Sequence, residues 1–104
     1  MIISIEEKDN GKILRLKKGE AFQITLLENA STGYTWLEEI VSEKNVVLLE
    51  KEDYVGNHTV IGGSGARAWT YTANEAGQRK VRFHYQRPWL QEAVKSFEIT
   101  VIVI

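Results

Sequence analysis

The chain has 104 residues, 43% of them hydrophobic, a formal net charge of −1 and no cysteine. This is the size of one domain with one core, expected over residues 1–104, and too apolar for a disordered chain. Near-neutral charge removes any whole-chain electrostatic case for nucleic acid or an anionic membrane, and without cysteine there is no disulfide, thiolate metal site or cysteine nucleophile.

The first residues, Met1 to Ile5, pass straight into Glu6-Glu7-Lys8. They lack the apolar core of a secretory signal, and no stretch approaches the ~18 apolar residues of a membrane span. A reducing, cytoplasmic setting is therefore expected, and the sequons at Asn29 and Asn57 are expected to stay unglycosylated. Charge is uneven: residues 1–54 carry 7 basic and 11 acidic groups, residues 55–104 carry 6 and 3. This reads as surface patterning.

Along the chain the dominant period is two, which is the signature of strands with one buried face. Asp9-Asn10-Gly11 is a turn, and Leu14 and Leu16 mark a strand before a second turn at Lys18-Gly19. Phe22, Ile24 and Leu26 alternate with polar residues. Tyr34 and Trp36 begin a further strand, and the Trp36–Glu43 stretch is only weakly compatible with helix, lacking a cap. Trp69 and Tyr71, then Val81, Phe83 and Tyr85, then Phe97, Ile99, Val101 and Val103, repeat the alternation, with a turn at Asn74 to Gly77. Seven or eight short strands in this length predict an all-β fold: an immunoglobulin-like antiparallel β-sandwich without a disulfide. Loops of a sandwich gather at its two ends, and alternate connections share an end.

Three short motifs interrupt or flank these strands: Asn29-Ala30-Ser31-Thr32-Gly33-Tyr34, Gly62-Gly63-Ser64-Gly65 and Arg87-Pro88-Trp89. None is catalytic in kind. The glycines of the second are followed by a strand, not by Lys-Ser/Thr and a helix, so they do not form a phosphate cradle. His58 and His84 have no partner at metal-ligand spacing, and His84 reads as a solvated strand residue. Asp9 and Asp53 read as solvated surface, and no serine sits in a nucleophile elbow. Each motif has a plain structural reading as well. Asn29 is a loop stabiliser, Gly33 a turn residue, Trp36 a core residue, and Arg87-Pro88-Trp89 a strand end with a core tryptophan. On the residues alone the chain is a β-sandwich binding module.

In this order and spacing the three motifs resemble those of the chagasin family of cysteine-peptidase inhibitors. That family's immunoglobulin-like sandwich presents Asn-Pro-Thr-Thr-Gly-Tyr/Phe, Gly-x-Gly-Gly and Arg-Pro-Trp/Phe in three neighbouring loops. The resemblance spans essentially the whole chain. Thr32, Gly33, Tyr34, Arg87, Pro88 and Trp89 match; Ala30 replaces a proline, Ser31 a frequent threonine and Ser64 a usual glycine. Alanine lacks the fixed φ of proline, so the first loop is expected to be less rigid before binding.

The resemblance implies a reversible, tight-binding monomeric inhibitor of papain-like cysteine peptidases (papain, cathepsin-L-type enzymes) that is not an enzyme and needs no cofactor or metal. Asn29 to Tyr34 would form a slim plug, Gly62 to Gly65 would approach one wall of the cleft, and Arg87, Pro88 and Trp89 would supply an aromatic anchor. The rival expectation is an immunoglobulin-like adhesion or carbohydrate-binding module that uses Trp89 and Tyr34 as stacking platforms.

Overall fold

The computed structural model describes residues 2–39, 41–56 and 65–104. Among these residues are eight strands: β1 (Ile2–Ile5), β2 (Ile13–Leu16), β3 (Ala21–Glu28), β4 (Thr35–Glu38), β5 (Val47–Gly56), β6 (Gly65–Ala73), β7 (Gly77–Gln86) and β8 (Lys95–Val103). They form two four-stranded sheets, ordered β1-β3-β6-β5 and β2-β8-β7-β4. The predicted sandwich is present. Its two N-terminal strands join in parallel, β1 along β3 and β2 along β8, while every other pairing is antiparallel.

The alternation seen in the sequence is the cause of the core. Phe22, Ile24 and Leu26 of β3, Trp69 and Tyr71 of β6, Val81 and Phe83 of β7, and Phe97, Ile99, Val101 and Val103 of β8 are all buried. Trp69 lies against Phe83 with ring centroids 4.2 Å apart, and Phe22 stacks on Tyr71 at 5.2 Å. Such pairs add to area burial, which supplies most of the stabilisation.

Two strands had no clear alternation to announce them. In β1, Ile2 is exposed and Ile5 buried. In β5 the exposed Leu48 and Leu49 are adjacent, and the pairing with β6 shifts between Leu49 and Lys51. That irregularity erases the period-two pattern.

Asp9 corrects an expectation. It is buried, closing a 3-10 turn over Glu7–Asp9, where its carboxylate accepts the Glu6 amide at 2.9 Å and pairs with Lys12 at 2.9 Å. His84 is half-buried, hydrogen-bonded through Nδ1 to Ser96 Oγ at 3.0 Å and through Nε2 to Glu39 at 3.1 Å.

The register fixes which loops share an end. Glu28 pairs with Gly65, Gly65 with Gly56, Thr35 with Gln86 and Tyr85 with Lys95. The connections β3–β4, β5–β6 and β7–β8 therefore all leave from one end of the sandwich. The connections β2–β3, β4–β5 and β6–β7 leave from the other. Ile2, opposite Ala21, and Ile104, whose amide donates to the Leu16 carbonyl at 2.9 Å, also lie at that other end.

Candidate functional site

All three motifs fall on the β3–β4, β5–β6 and β7–β8 connections. Gly62, Gly63 and Ser64 lie outside the described residues; Gly65 is the first residue of β6.

The first loop builds itself from short polar side chains. Ala30–Thr32 forms a single 3-10 turn. Asn29 Oδ1 accepts from the Ser31 amide at 3.1 Å and from Ser31 Oγ at 2.7 Å, and Thr32 Oγ1 donates to the Asn29 carbonyl at 2.8 Å. These bonds replace the ladder that ends at Glu28, the usual work of Asn, Ser and Thr in turns. Asn29 thus acts as the loop stabiliser its residue type suggested. Gly33 then reverses the chain at φ +80°, a conformation open to glycine at little cost.

The third loop lies against the first. Arg87 begins a turn closed by the Leu90 amide to the Arg87 carbonyl at 3.0 Å. Its Nε donates to the Thr32 carbonyl at 3.3 Å, and its guanidinium sits 4.8 Å above the Tyr34 ring. Tyr34 in turn stacks on Tyr85 at 5.5 Å, and Trp36 packs on Tyr85 at 4.8 Å. The Tyr85 hydroxyl accepts the Asn29 amide at 3.1 Å. Lys95 completes the column, its ammonium 5.1 Å from the Tyr85 ring centre. Cations over aromatic faces at this range attract. Pro88 and Trp89 project from this base, and Trp89 is 70% exposed, whereas Trp36 is core, with its indole N–H donating to the Leu27 carbonyl at 2.9 Å. The indole of Trp89 reaches back over Gly33.

The second loop is rooted at Gly65, which is buried. A Cβ there would meet the Val55 carbonyl oxygen at 2.5 Å and the Tyr54 hydroxyl at 2.6 Å, so this glycine is required for close packing. Tyr54 Oη donates to the Glu28 carbonyl at 3.3 Å.

Beneath these loops is a carboxylate absent from the sequence reading. Glu28 is 2% exposed. It accepts from Thr35 Oγ1 and the Trp36 amide, both at 2.8 Å, and from Arg67 through Nε and Nη2 at 2.8–3.1 Å. Burial pushes its carboxyl up, but the Arg67 guanidinium, the Trp36 amide and the Thr35 hydroxyl outweigh that and hold it below the ordinary carboxylate range. Arg67 also pairs with Glu52 at 2.8 Å and lies 5.2 Å from the Tyr54 ring centre. A signal for this pair existed: Glu28 continues the Phe22-Ile24-Leu26 face, and Arg67 precedes Trp69 and Tyr71 on theirs.

The arrangement offers a narrow polar tip, an exposed indole and a rigid base. Among the described residues no group of His, Asp and Glu could hold a metal. No side chain is an electrophile. What the geometry can do is fit a complementary surface.

The family model described as "Chagasin family peptidase inhibitor I42" matches residues 15–101. Chagasin of Trypanosoma cruzi is 26% identical over 101 residues, covering 93% of this chain and 92% of its own. The crystal structure of the cysteine protease inhibitor EhICP2 from Entamoeba histolytica superposes with a TM-score of 0.88 at 22% identity, over 99% of this chain and 96% of that one. PbICP-C, solved in complex with falcipain-2, superposes with a TM-score of 0.67 at 19% identity, over 98% and 99% of the two chains.

Proposed function

The chain belongs to the chagasin family of peptidase inhibitors, and we propose that it blocks papain-like cysteine peptidases by seating its three co-located loops in their active-site cleft. The observation that carries this reading is the contact between the first and third motifs. Arg87 binds the Thr32 carbonyl and Trp89 covers Gly33, so two sequence segments 55 residues apart make one surface. The EhICP2 and PbICP-C structures, which share the fold, support the choice of enzyme class.

In this reading the Ala30–Thr32 turn and Gly33 form the plug. Their side chains are small, and Asn29, Ser31 and Thr32 already satisfy one another, so little order is lost on insertion. The backbone is wound into a 3-10 turn and is not presented as an extended substrate, so the catalytic cysteine of the target meets a peptide it cannot attack in line. Trp89 is the aromatic anchor on one flank, typical of residues that dominate interfaces. The other flank is assigned to the Gly62–Gly65 motif by the family resemblance alone. An interface of standard size, roughly 800 Å² per partner, would hold a monomeric inhibitor without cofactor. We place it in the cytoplasm as part of the same proposal, because a cysteine-free domain needs no oxidising compartment; fractionation of the tagged chain tests that point.

The decisive experiment is titration of papain and a cathepsin-L-type enzyme with a fluorogenic substrate, beside trypsin and a metallopeptidase. Inhibition of the first two and not the others is expected. No inhibition of either papain-like enzyme, or equal potency across all four, overturns the proposal. The first outcome would favour an adhesion or carbohydrate-binding module.

A further inference from the structure

We propose that the ion pair between the buried Glu28 and the half-buried Arg67 is the positioning device of the inhibitory end, setting the affinity for the peptidase through the loops and not by touching the target. The inference rests on the inhibitory reading above.

Glu28 is the last residue of β3, directly before the first loop. Its carboxylate reaches across the mouth of that loop to Thr35 and Trp36, the first two residues of β4. One side chain thus ties together the two ends of the plug, which belong to different sheets. Arg67 enters from β6, two residues after the root of the second loop. Its fork binds Glu28 on one side and Glu52 of β5 on the other. Tyr54 lies beneath that guanidinium, donates to the Glu28 carbonyl and fills the space where Gly65 lacks a side chain. Both strands bounding the first loop and both bounding the second therefore converge on Glu28: β4 and β6 on its carboxylate, and β5 on its backbone carbonyl through Tyr54 and on its partner Arg67 through Glu52.

A buried ion pair is a poor way to gain stability, since apolar residues of similar volume often do as well or better. What it adds is directionality: a carboxylate with four donors accepts one geometry of its surroundings. A second inward-facing arginine provides the control. Arg79 of β7 is more deeply buried than Arg67, at 6% against 24% exposed, and it donates to the Val47 carbonyl at 3.1 Å and pairs with Glu38 at 3.4 Å. It stands at the end of the sandwich away from the motifs.

The test compares Glu28→Gln, Arg67→Lys and Arg79→Lys by melting temperature, papain inhibition and backbone amide NMR of the free protein. All three are expected to melt lower. Glu28→Gln and Arg67→Lys should weaken inhibition about tenfold or more, the equivalent of ~1.4 kcal/mol, and shift the amide signals of Ser31 to Tyr34. Arg79→Lys should leave inhibition within about twofold of the parent and those signals in place. Should Glu28→Gln not fold, Thr35→Val, which removes one donor to the carboxylate, should move the same signals. Inhibition by all three variants that falls only in proportion to melting temperature overturns the inference, as do unmoved loop signals. If the parent itself fails to inhibit papain, the functional reading fails, and the loop signals alone still decide the positioning role.

Discussion

A Cβ on Gly33 would stand 3.1 Å from Cη2 of Trp89, closer than ordinary contact, so the turn of the first loop and the indole of the third are fitted to one another. Two demands meet at this glycine: a φ of +80° and a roof of aromatic carbon.

Gly33→Val should therefore harm inhibition far more than Ala30→Pro. Valine is strained by about 1–2 kcal/mol at this φ, and its branches would displace Trp89. Proline suits residue 30, which opens the 3-10 turn, as it suits the first position of a helix. The expected result is a loss of at least about tenfold in papain inhibition for the valine variant, with the proline variant equal to or tighter than the parent. Equal inhibition by Gly33→Val would remove the first loop from the cleft.

Trp89→Ala should separate binding from folding. With 70% of the residue exposed, little core is lost, and the change in stability should stay within ~1 kcal/mol. An interface anchor of this type contributes ~2 kcal/mol or more, so inhibition should weaken by roughly 30-fold. The two measurements are thermal unfolding and the inhibition constant. A collapse of melting temperature with intact inhibition would contradict the assignment.

Acid should destabilise the protein partly through Glu28. Its carboxyl is held below its ordinary value of 4.5, so at acidic pH the unfolded chain binds more protons than the folded one. The stabilisation is fully present above 4.5 and is lost as pH falls through the lower, folded-state value. Asp9 (held down by the Glu6 amide) and Glu39 (by His84) act in the same direction. Melting curves from pH 7 to pH 3 should fall steeply below about 4.5 in the parent. They should fall less steeply in Glu28→Gln, and identical slopes would show that the pair does not titrate as described.

The complex should be non-covalent. Papain with its catalytic cysteine blocked by an S-methyl group should still bind in calorimetry, more weakly because plug and methyl share space. Intact mass after prolonged incubation with active enzyme should show the Asn29–Tyr34 segment uncut. Lost binding to the blocked enzyme together with cleavage between Ser31 and Gly33 would make the loop a substrate.

Where a strand buries one face, its alternation is legible: β3, β6, β7 and β8 can be read from their apolar residues alone. The strands β1 and β5 cannot, because the first is four residues long and the second shifts register after two adjacent leucines. The exposed residues of the candidate site are legible as motifs, and the structure brings the first and third of them into contact. The buried residues are not legible, because a charge is ordinarily assigned to the surface. Glu28, Arg67 and Arg79 each sit in phase with buried apolar neighbours, and that phase outranks their polarity: all three point inward and find partners there. Asp9 differs from expectation for the same reason. Its place inside a local turn, and not its charge, decides its burial.

Both described chain ends, Ile2 and Ile104, stand at the pole of the sandwich opposite the first and third motifs. The described chain ends and the candidate site consequently face opposite ways, like a handle behind a proposed working edge. A tag, a bead, a second copy or a neighbouring domain can be attached at either terminus without standing between the loops and an enzyme. Two such units joined tail to head by a flexible linker would each keep an unobstructed tip. Surface-immobilised chain should accordingly capture its target from either attachment point alike.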